Sequence, residues 1–119
     1  MKTCRVYVAG RLNDLAPDYI KNLHRMIKVD RELRRLGFSP YCPGLDFLTG
    51  LVSGDMGYED YFEPSQAWLE VSNAVFLTPG YEGSPGTKRE VKRAIELKIP
   101  VFGTIPGLVW FRETMEGGL

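Results

Sequence analysis

The stretch Ala74-Val75-Phe76-Leu77-Thr78-Pro79-Gly80-Tyr81-Glu82-Gly83-Ser84-Pro85-Gly86-Thr87-Lys88-Arg89-Glu90 contains three successive kinds of local structure. Residues 74–78 are a short apolar run, which reads as a buried strand. Pro79-Gly80 ends it, and residues 80–86 carry three glycines. Ser84-Pro85 then opens a helix. Serine suits the N-cap, and proline suits the first turn, where its missing N–H is no loss. Apolar residues at helical spacing carry this helix to about Lys98. A strand that runs through a glycine loop into a helix is half of a β-α-β unit, the building block of a parallel sheet.

The same alternation extends in both directions. Upstream, Glu59 to Val71 reads as a helix, with Tyr61, Trp68, Leu69 and Val71 available for packing. Downstream, Pro100-Val101-Phe102-Gly103-Thr104 reads as a strand, and Pro106 starts a helix through about Met115. Near the N-terminus, Cys4-Arg5-Val6-Tyr7-Val8-Ala9-Gly10 is a β-branched and aromatic strand closed by glycine. A helix opens near Pro17, with Ile20, Leu23, Ile27, Leu33 and Leu36 near helical spacing, and Gly37 stops it. Phe38 to Cys42 is a short strand whose Pro40 puts it at a sheet edge. Residues 43–58 have no clear period, and a loop of that length in a compact domain is usually functional or mobile. The order β-α-β-loop-α-β-α-β-α predicts a small doubly wound, flavodoxin- or Rossmann-like parallel sheet of four to five strands, with helices on both faces. Ligands bind such sheets beyond the carboxyl ends of the strands.

Composition agrees and narrows the function. The 119 residues, taken as one domain over 1–119, are 44% hydrophobic and 25% charged, with 15 basic and 15 acidic side chains. Disorder is excluded by that apolar content. Charge balance argues against a nucleic-acid partner and leaves small molecules. No apolar run reaches the roughly 18–20 residues of a membrane span, and the N-terminus turns polar too soon for a signal peptide. Cys4 and Cys42 read as reduced thiols of a cytoplasmic protein, and two cysteines with one histidine are too few for a usual zinc site. The expectation is no metal and no cofactor.

One residue breaks the helical pattern after Ser84. At about 100° per residue, Val91, Ala94, Ile95 and Leu97 share an apolar arc, opposite Arg89, Lys92, Arg93 and Glu96. Glu90 falls inside the apolar arc, between Ala94 and Leu97 in angle. A carboxylate facing a sheet is costly unless compensated. It is either a helix-start carboxylate bound to a loop, or a catalytic or ligand-binding group at the strand-end crevice. The glycine loop at Ser84 either caps its helix or offers free N–H groups to a phosphate. It is not a P-loop, and Ala9-Gly10-Arg11-Leu12-Asn13 is not the dinucleotide fingerprint. Trp68 and Trp110 read as core, Lys28, Arg31, Arg34 and Arg35 as a solvated face, and Tyr58, Tyr61 and Phe62 either as ordinary aromatics beside a glycine-rich loop or as material for a lid.

Val6 to Gly10, Trp68-Leu69, Ser72 to Val75, and Pro79 to Glu90 occur in the order seen in nucleoside 2-deoxyribosyltransferase-like proteins. The chain resembles that superfamily over about residues 4–104, nearest to a small phage and bacterial branch beside the deoxynucleoside 5'-monophosphate N-hydrolases. The resemblance implies a nucleotide or nucleoside substrate and a homodimer or larger assembly. It implies that Glu90 is the nucleophile on the anomeric carbon and that Tyr7 orients it. It also implies that Ser84, with Gly86 beside it, binds a 5'-phosphate, and that Gly10 and Arg11 approach sugar and phosphate. Asp46, after the second strand, is a further candidate acid or ribose ligand. Two acidic positions of the family read Ser65 and Asn73 here, with Asp60 or Glu63 as candidate substitutes for the acid. The expected activity is therefore an N-glycosidase of 2'-deoxynucleoside 5'-monophosphates, or deoxyribosyl transfer. A non-catalytic nucleotide-binding protein on the same fold is the alternative. A phosphoribohydrolase is a third reading, from the partial echo of a Pro-Gly-Gly-x-Gly-Thr-x-x-Glu motif.

Overall fold

The computed structural model describes residues 3–10, 16–46, 52–54, 58–79 and 84–116. Four strands, β1 (Arg5–Ala9), β2 (Ser39–Tyr41), β3 (Ala74–Leu77) and β4 (Val101–Phe102), form one sheet in the order β2-β1-β3-β4, every pair parallel. The α-helices α1 (Ala16–Arg35), α2 (Tyr58–Glu70), α3 (Pro85–Glu96) and α4 (Ile105–Glu116) accompany them among the described residues, with a 3-10 turn at Pro43–Asp46. The alternation expected from the sequence is thus observed, with four strands and with Pro40 on an edge strand. Among the described residues, no helix is long and apolar enough to cross a membrane.

Successive strand residues point to opposite faces, so each strand feeds two cores. On one face Val6, Val8, Ala74 and Phe76 meet Met26 and Leu33 of α1 and Leu108 of α4. On the other, Tyr7, Ala9 and Val75 meet Leu69 of α2 and Ala94 of α3. That division makes the sheet doubly wound. Cys4 and Cys42 are both buried free thiols.

Two helices end in the same way, with different residues. After α1, Phe38 N–H donates to the Leu33 carbonyl (3.0 Å) and Gly37 N–H to that of Arg34 (3.1 Å). After α3, Ile99 N–H donates to Ala94 (2.8 Å) and Lys98 N–H to Ile95 (3.0 Å). Both are Schellman motifs, which need a left-handed residue next to the cap. Gly37 (φ 88°) supplies it for α1, as its position in the sequence suggests, and Lys98 (φ 60°) for α3. The α3 helix therefore stops at Glu96, two residues before the expected Lys98.

Packing corrects several side-chain expectations. Trp68 and Trp110 are 55% and 62% exposed, so neither is core. The inward side of α2 carries Ser65 and Leu69, and Trp68 lies a turn to the side, stacked on Tyr41 of the edge strand. Val71 and Ile95 are exposed as well. In α1 the buried stripe is Asn22, Met26, Asp30 and Leu33, while Ile20 and Ile27 face outward. These apolar residues fit a helical period, but its phase is set by what the sheet accommodates.

Candidate active site

Tyr7 is the middle residue of β1 and is fully buried on the α2–α3 side of the sheet. Its ring is made buriable by strand position, but its hydroxyl requires a partner. Glu90 provides that partner. It lies in α3 between the buried residues Thr87 and Ala94, three residues after one and four before the other, and so on the inward side. The Tyr7 hydroxyl donates to Glu90 Oε2. The carboxylate that breaks the helical pattern is therefore aimed at the sheet and compensated there.

The electrostatics follow from burial. Burial pushes the Glu90 carboxyl up to about 7, against the opposing effect of the Tyr7 hydrogen bond. The Tyr7 phenol is pushed far above its ordinary value, first by burial, then by the charge of Glu90 and the hydrogen bond to it. The Ser65 hydroxyl works in the other direction. Tyr7 thus remains a proton donor at any ordinary pH, and Glu90 changes charge near neutrality. One carboxylate oxygen is held by the phenol, which leaves Oε1 to meet another group. Behind Tyr7, the Tyr41 ring lies 5.7 Å away, and Trp68 stacks on Tyr41 at 5.8 Å. This aromatic row runs from the site to the surface.

Helix α3 is fixed at its start by Ser84, whose Oγ accepts from Thr87 N–H (3.2 Å) and from the Thr87 hydroxyl (2.9 Å). The capping role weighed from the sequence is therefore made. It sets the rotation of α3 and with it the aim of Glu90. Two ion pairs tie α3 to α2 on the outside, Arg89 with Glu59 (3.5 Å) and Arg93 with Glu70 (3.2 Å).

In a sheet ordered β2-β1-β3-β4, the crevice opens between the carboxyl ends of β1 and β3, where the winding direction reverses. Thr78 N–H donates to the Ala9 carbonyl there (2.9 Å), and Arg25 of α1 donates to the Pro79 carbonyl (2.9 Å). Gly10 sits against this seam. A Cβ on it would lie 1.9 Å from Thr78 Oγ1, so glycine is required by the approach of two strand ends. A family model described as a domain of unknown function, DUF4406, matches residues 4–103. The chain belongs to the DUF4406 family. Among solved structures it is similar to a 2-deoxyribosyltransferase from the psychrotolerant bacterium Bacillus psychrosaccharolyticus. That likeness has a TM-score of 0.61 at 19% identity and covers 82% of this chain and 69% of the other. At that identity it establishes the fold. No curated protein matches the chain.

Within this DUF4406 domain, the structure brings together Tyr7 and Glu90 of the expected set. Gly10 lies at the switch point and Ser84 and Gly86 at the first turn of α3. Asp46 closes the 3-10 turn after β2, with its side chain outside the described residues. Arg11 and the side chains of Tyr58, Tyr61 and Phe62 also lie outside the described residues. Of the candidate substitutes for the acid on α2, Asp60 and Glu63 are both exposed, whereas Ser65, at the position where the resembling family carries an acid, is buried. Asn73 is structural: its Oδ1 accepts from Arg5 N–H at 2.8 Å. Sequence reasoning gave Thr87 and Thr78 no role, and read Ser65 only as a missing acid. All three are buried hydroxyls on an inward helix position or a strand end, and that burial is visible only once the inward phase is known.

Proposed function

We propose that this protein cleaves the base–sugar bond of 2'-deoxynucleoside 5'-monophosphates, or transfers the deoxyribosyl group, with Glu90 as nucleophile. The observation that carries the reading is the Tyr7–Glu90 contact, a carboxylate anchored by one oxygen beside the switch-point crevice. The deoxyribosyltransferase-like fold supports it.

The chemistry is as follows. The ionised Glu90 attacks the anomeric carbon with its unanchored oxygen as the C–N bond breaks, through a centre of oxocarbenium character. The bond's electrons leave with the base, which takes up a proton from solvent water. The glycosyl ester then yields to water, or to the nitrogen of a second base, and the Glu90 carboxylate is regenerated. Tyr7 donates to Glu90 at both stages, orienting the nucleophile and stabilising the carboxylate as it leaves. The first turn of α3, with Ser84 and Gly86, is the proposed place for the 5'-phosphate, because the Gly86 N–H stands there at the positive end of a helix. Association into a homodimer belongs to the same proposal.

Chromatographic detection of free base tests the reading. The protein is incubated with each deoxy- and ribonucleoside 5'-monophosphate and the matching nucleosides. The expected result is base release from deoxynucleotides that is lost in Glu90→Ala. Its kcat/KM is expected to fall on the acid side with a midpoint near the Glu90 value of about 7. A specific observation favours a second reading: a neutral hydroxyl, Ser65, stands beside Tyr7 where the resembling family carries an acid. A non-catalytic nucleotide-binding protein would show thermal stabilisation by nucleotides with no base released.

A further inference from the structure

Gln66 of α2 ends in a buried Nε2 that has no hydrogen-bond partner among the described residues. A buried amide left unpaired is costly, so a native fold seldom keeps one without a use. Two other buried polar atoms share the condition, Asn22 Nδ2 and Asp30 Oδ2, but both belong to α1, on the opposite face of the sheet. Of the three, Gln66 alone is on the face of Tyr7 and Glu90. Helical angle places it further. At about 100° per residue, Gln66 falls between the inward side of α2, marked by Ser65 and Leu69, and the edge whose Glu59 and Glu70 reach α3. On α3, Glu90 falls between the inward Thr87 and Ala94 and the edge whose Arg89 and Arg93 meet those glutamates. Gln66 and Glu90 thus take matching positions on two adjoining helices, just inside the two ion pairs. On the side of an ionised carboxylate, the donor end of an amide is the favourable one to turn inward.

We propose that Gln66 is a substrate-binding residue, whose Nε2 donates to the nucleobase acceptor next to the glycosidic nitrogen. That acceptor is O2 in pyrimidines and N3 in purines, so one donor serves every base. It lies beside the bond that is broken, and so within the reach of a group that neighbours Glu90. As the C–N bond breaks, its electron pair passes into the base, and this atom takes up part of the negative charge. A hydrogen bond to it then strengthens, which favours departure. A carboxamide donates without giving up its proton, so the proton on the departing base still comes from water. The inference rests on the deoxynucleotide reading and adds to it the residue that meets the base.

Isothermal titration calorimetry on the full chain tests it, with Glu90→Gln as the background that does not turn over. The probes are the four deoxynucleoside 5'-monophosphates and deoxyribose 5-phosphate, which has no base. Gln66→Met keeps the length of the side chain and removes the amide. It is expected to weaken each deoxynucleotide about tenfold, the size of one hydrogen bond, and to leave deoxyribose 5-phosphate unchanged. Unchanged affinity for the deoxynucleotides overturns the proposal. An equal loss for deoxyribose 5-phosphate overturns it too, because it moves the contact to the sugar or the phosphate. Urea denaturation gives a check that needs no ligand. An amide without a partner is expected to leave Gln66→Met at least as stable as the wild type. A clear loss of stability would assign the amide a structural bond and overturn the proposal. If neither the wild type nor Glu90→Gln binds any deoxynucleotide, the deoxynucleotide reading falls, and the base contact with it. Binding that Gln66→Met leaves unchanged removes the base contact alone.

Discussion

Glu90 is held in the folded protein at a free-energy disadvantage whenever it is charged. Its carboxyl titrates near 7 in the fold against an ordinary 4.5, with burial as the main cause. The folded state therefore keeps a proton that the unfolded state gives up at lower pH. Stability is then greatest below about pH 4.5 as far as this group is concerned, declines as pH rises, and has lost the full increment above about 7. The increment is on the order of 3 kcal/mol. Glutamine keeps the size and stays neutral. Glu90→Gln should match the wild type near pH 4.5 and be the more stable protein near pH 8.5, as urea denaturation at the two values will show. An equal stability at both values would mean that Glu90 is solvated in the fold. A carboxylate kept for chemistry, the role proposed for Glu90, is expected to oppose stability in this way. At the same scale, the glutamate was legible in the sequence because its misfit is a matter of helical angle alone. Its partner came only from the family resemblance, because by strand pattern alone Tyr7, 83 residues away, reads as an ordinary strand aromatic.

At the scale of elements, the helix ends carry the next argument. Lys98 occupies the left-handed position of the Schellman motif that ends α3, at φ 60°. A side chain there is strained by its Cβ, and glycine is the residue that fits. Lys98→Gly should raise stability by about 1 kcal/mol, read as a higher urea midpoint with an unchanged slope. A lower midpoint would show that the lysine side chain contributes more than its strain removes. The start of the same helix is the other lever. Ser84 accepts twice from Thr87, and removing the cap by Ser84→Ala should cost about 1 kcal/mol in the same measurement. Because α3 carries Glu90 in its second turn, the cap also bears on the aim of the carboxylate. Element ends were largely legible. Ser84-Pro85 and Gly37 are local signals that act within a few residues. The stop at Glu96 was missed because no glycine or proline marks it: the motif is made by backbone bonds that a lysine was forced to allow.

At the scale of the whole molecule, the site depends on two strand ends meeting. Gly10 follows β1 and Thr78 follows β3, and no space separates them for a Cβ. Gly10→Ala should destabilise the protein by about 1–3 kcal/mol, the usual penalty for overpacking. Thr78→Ala, which removes the Oγ1 that a new Cβ would strike first, should recover part of that loss in the double variant. Additive effects of the two changes in thermal unfolding would mean that the strand ends part freely. The same seam orders the faces: α1 and α4 cover one side of the sheet, and α2 and α3 the other, so Ser65 and Glu90 arrive beside the one aromatic that β1 places there.

The alternation of apolar strands with periodic helices, the parallel sheet it entails and the odd carboxylate on α3 were all determined by the sequence itself. Each rests on backbone period and local propensity, which act over a few residues. The tertiary structure alone decided the strand order β2-β1-β3-β4, the outward placement of Trp68 and Trp110, the seam at Gly10 and the contact of Tyr7 with Glu90. Those depend on which residues distant in the chain share a volume. A helical period tells which side chains lie together on a helix, but only packing against the sheet selects the side that turns inward.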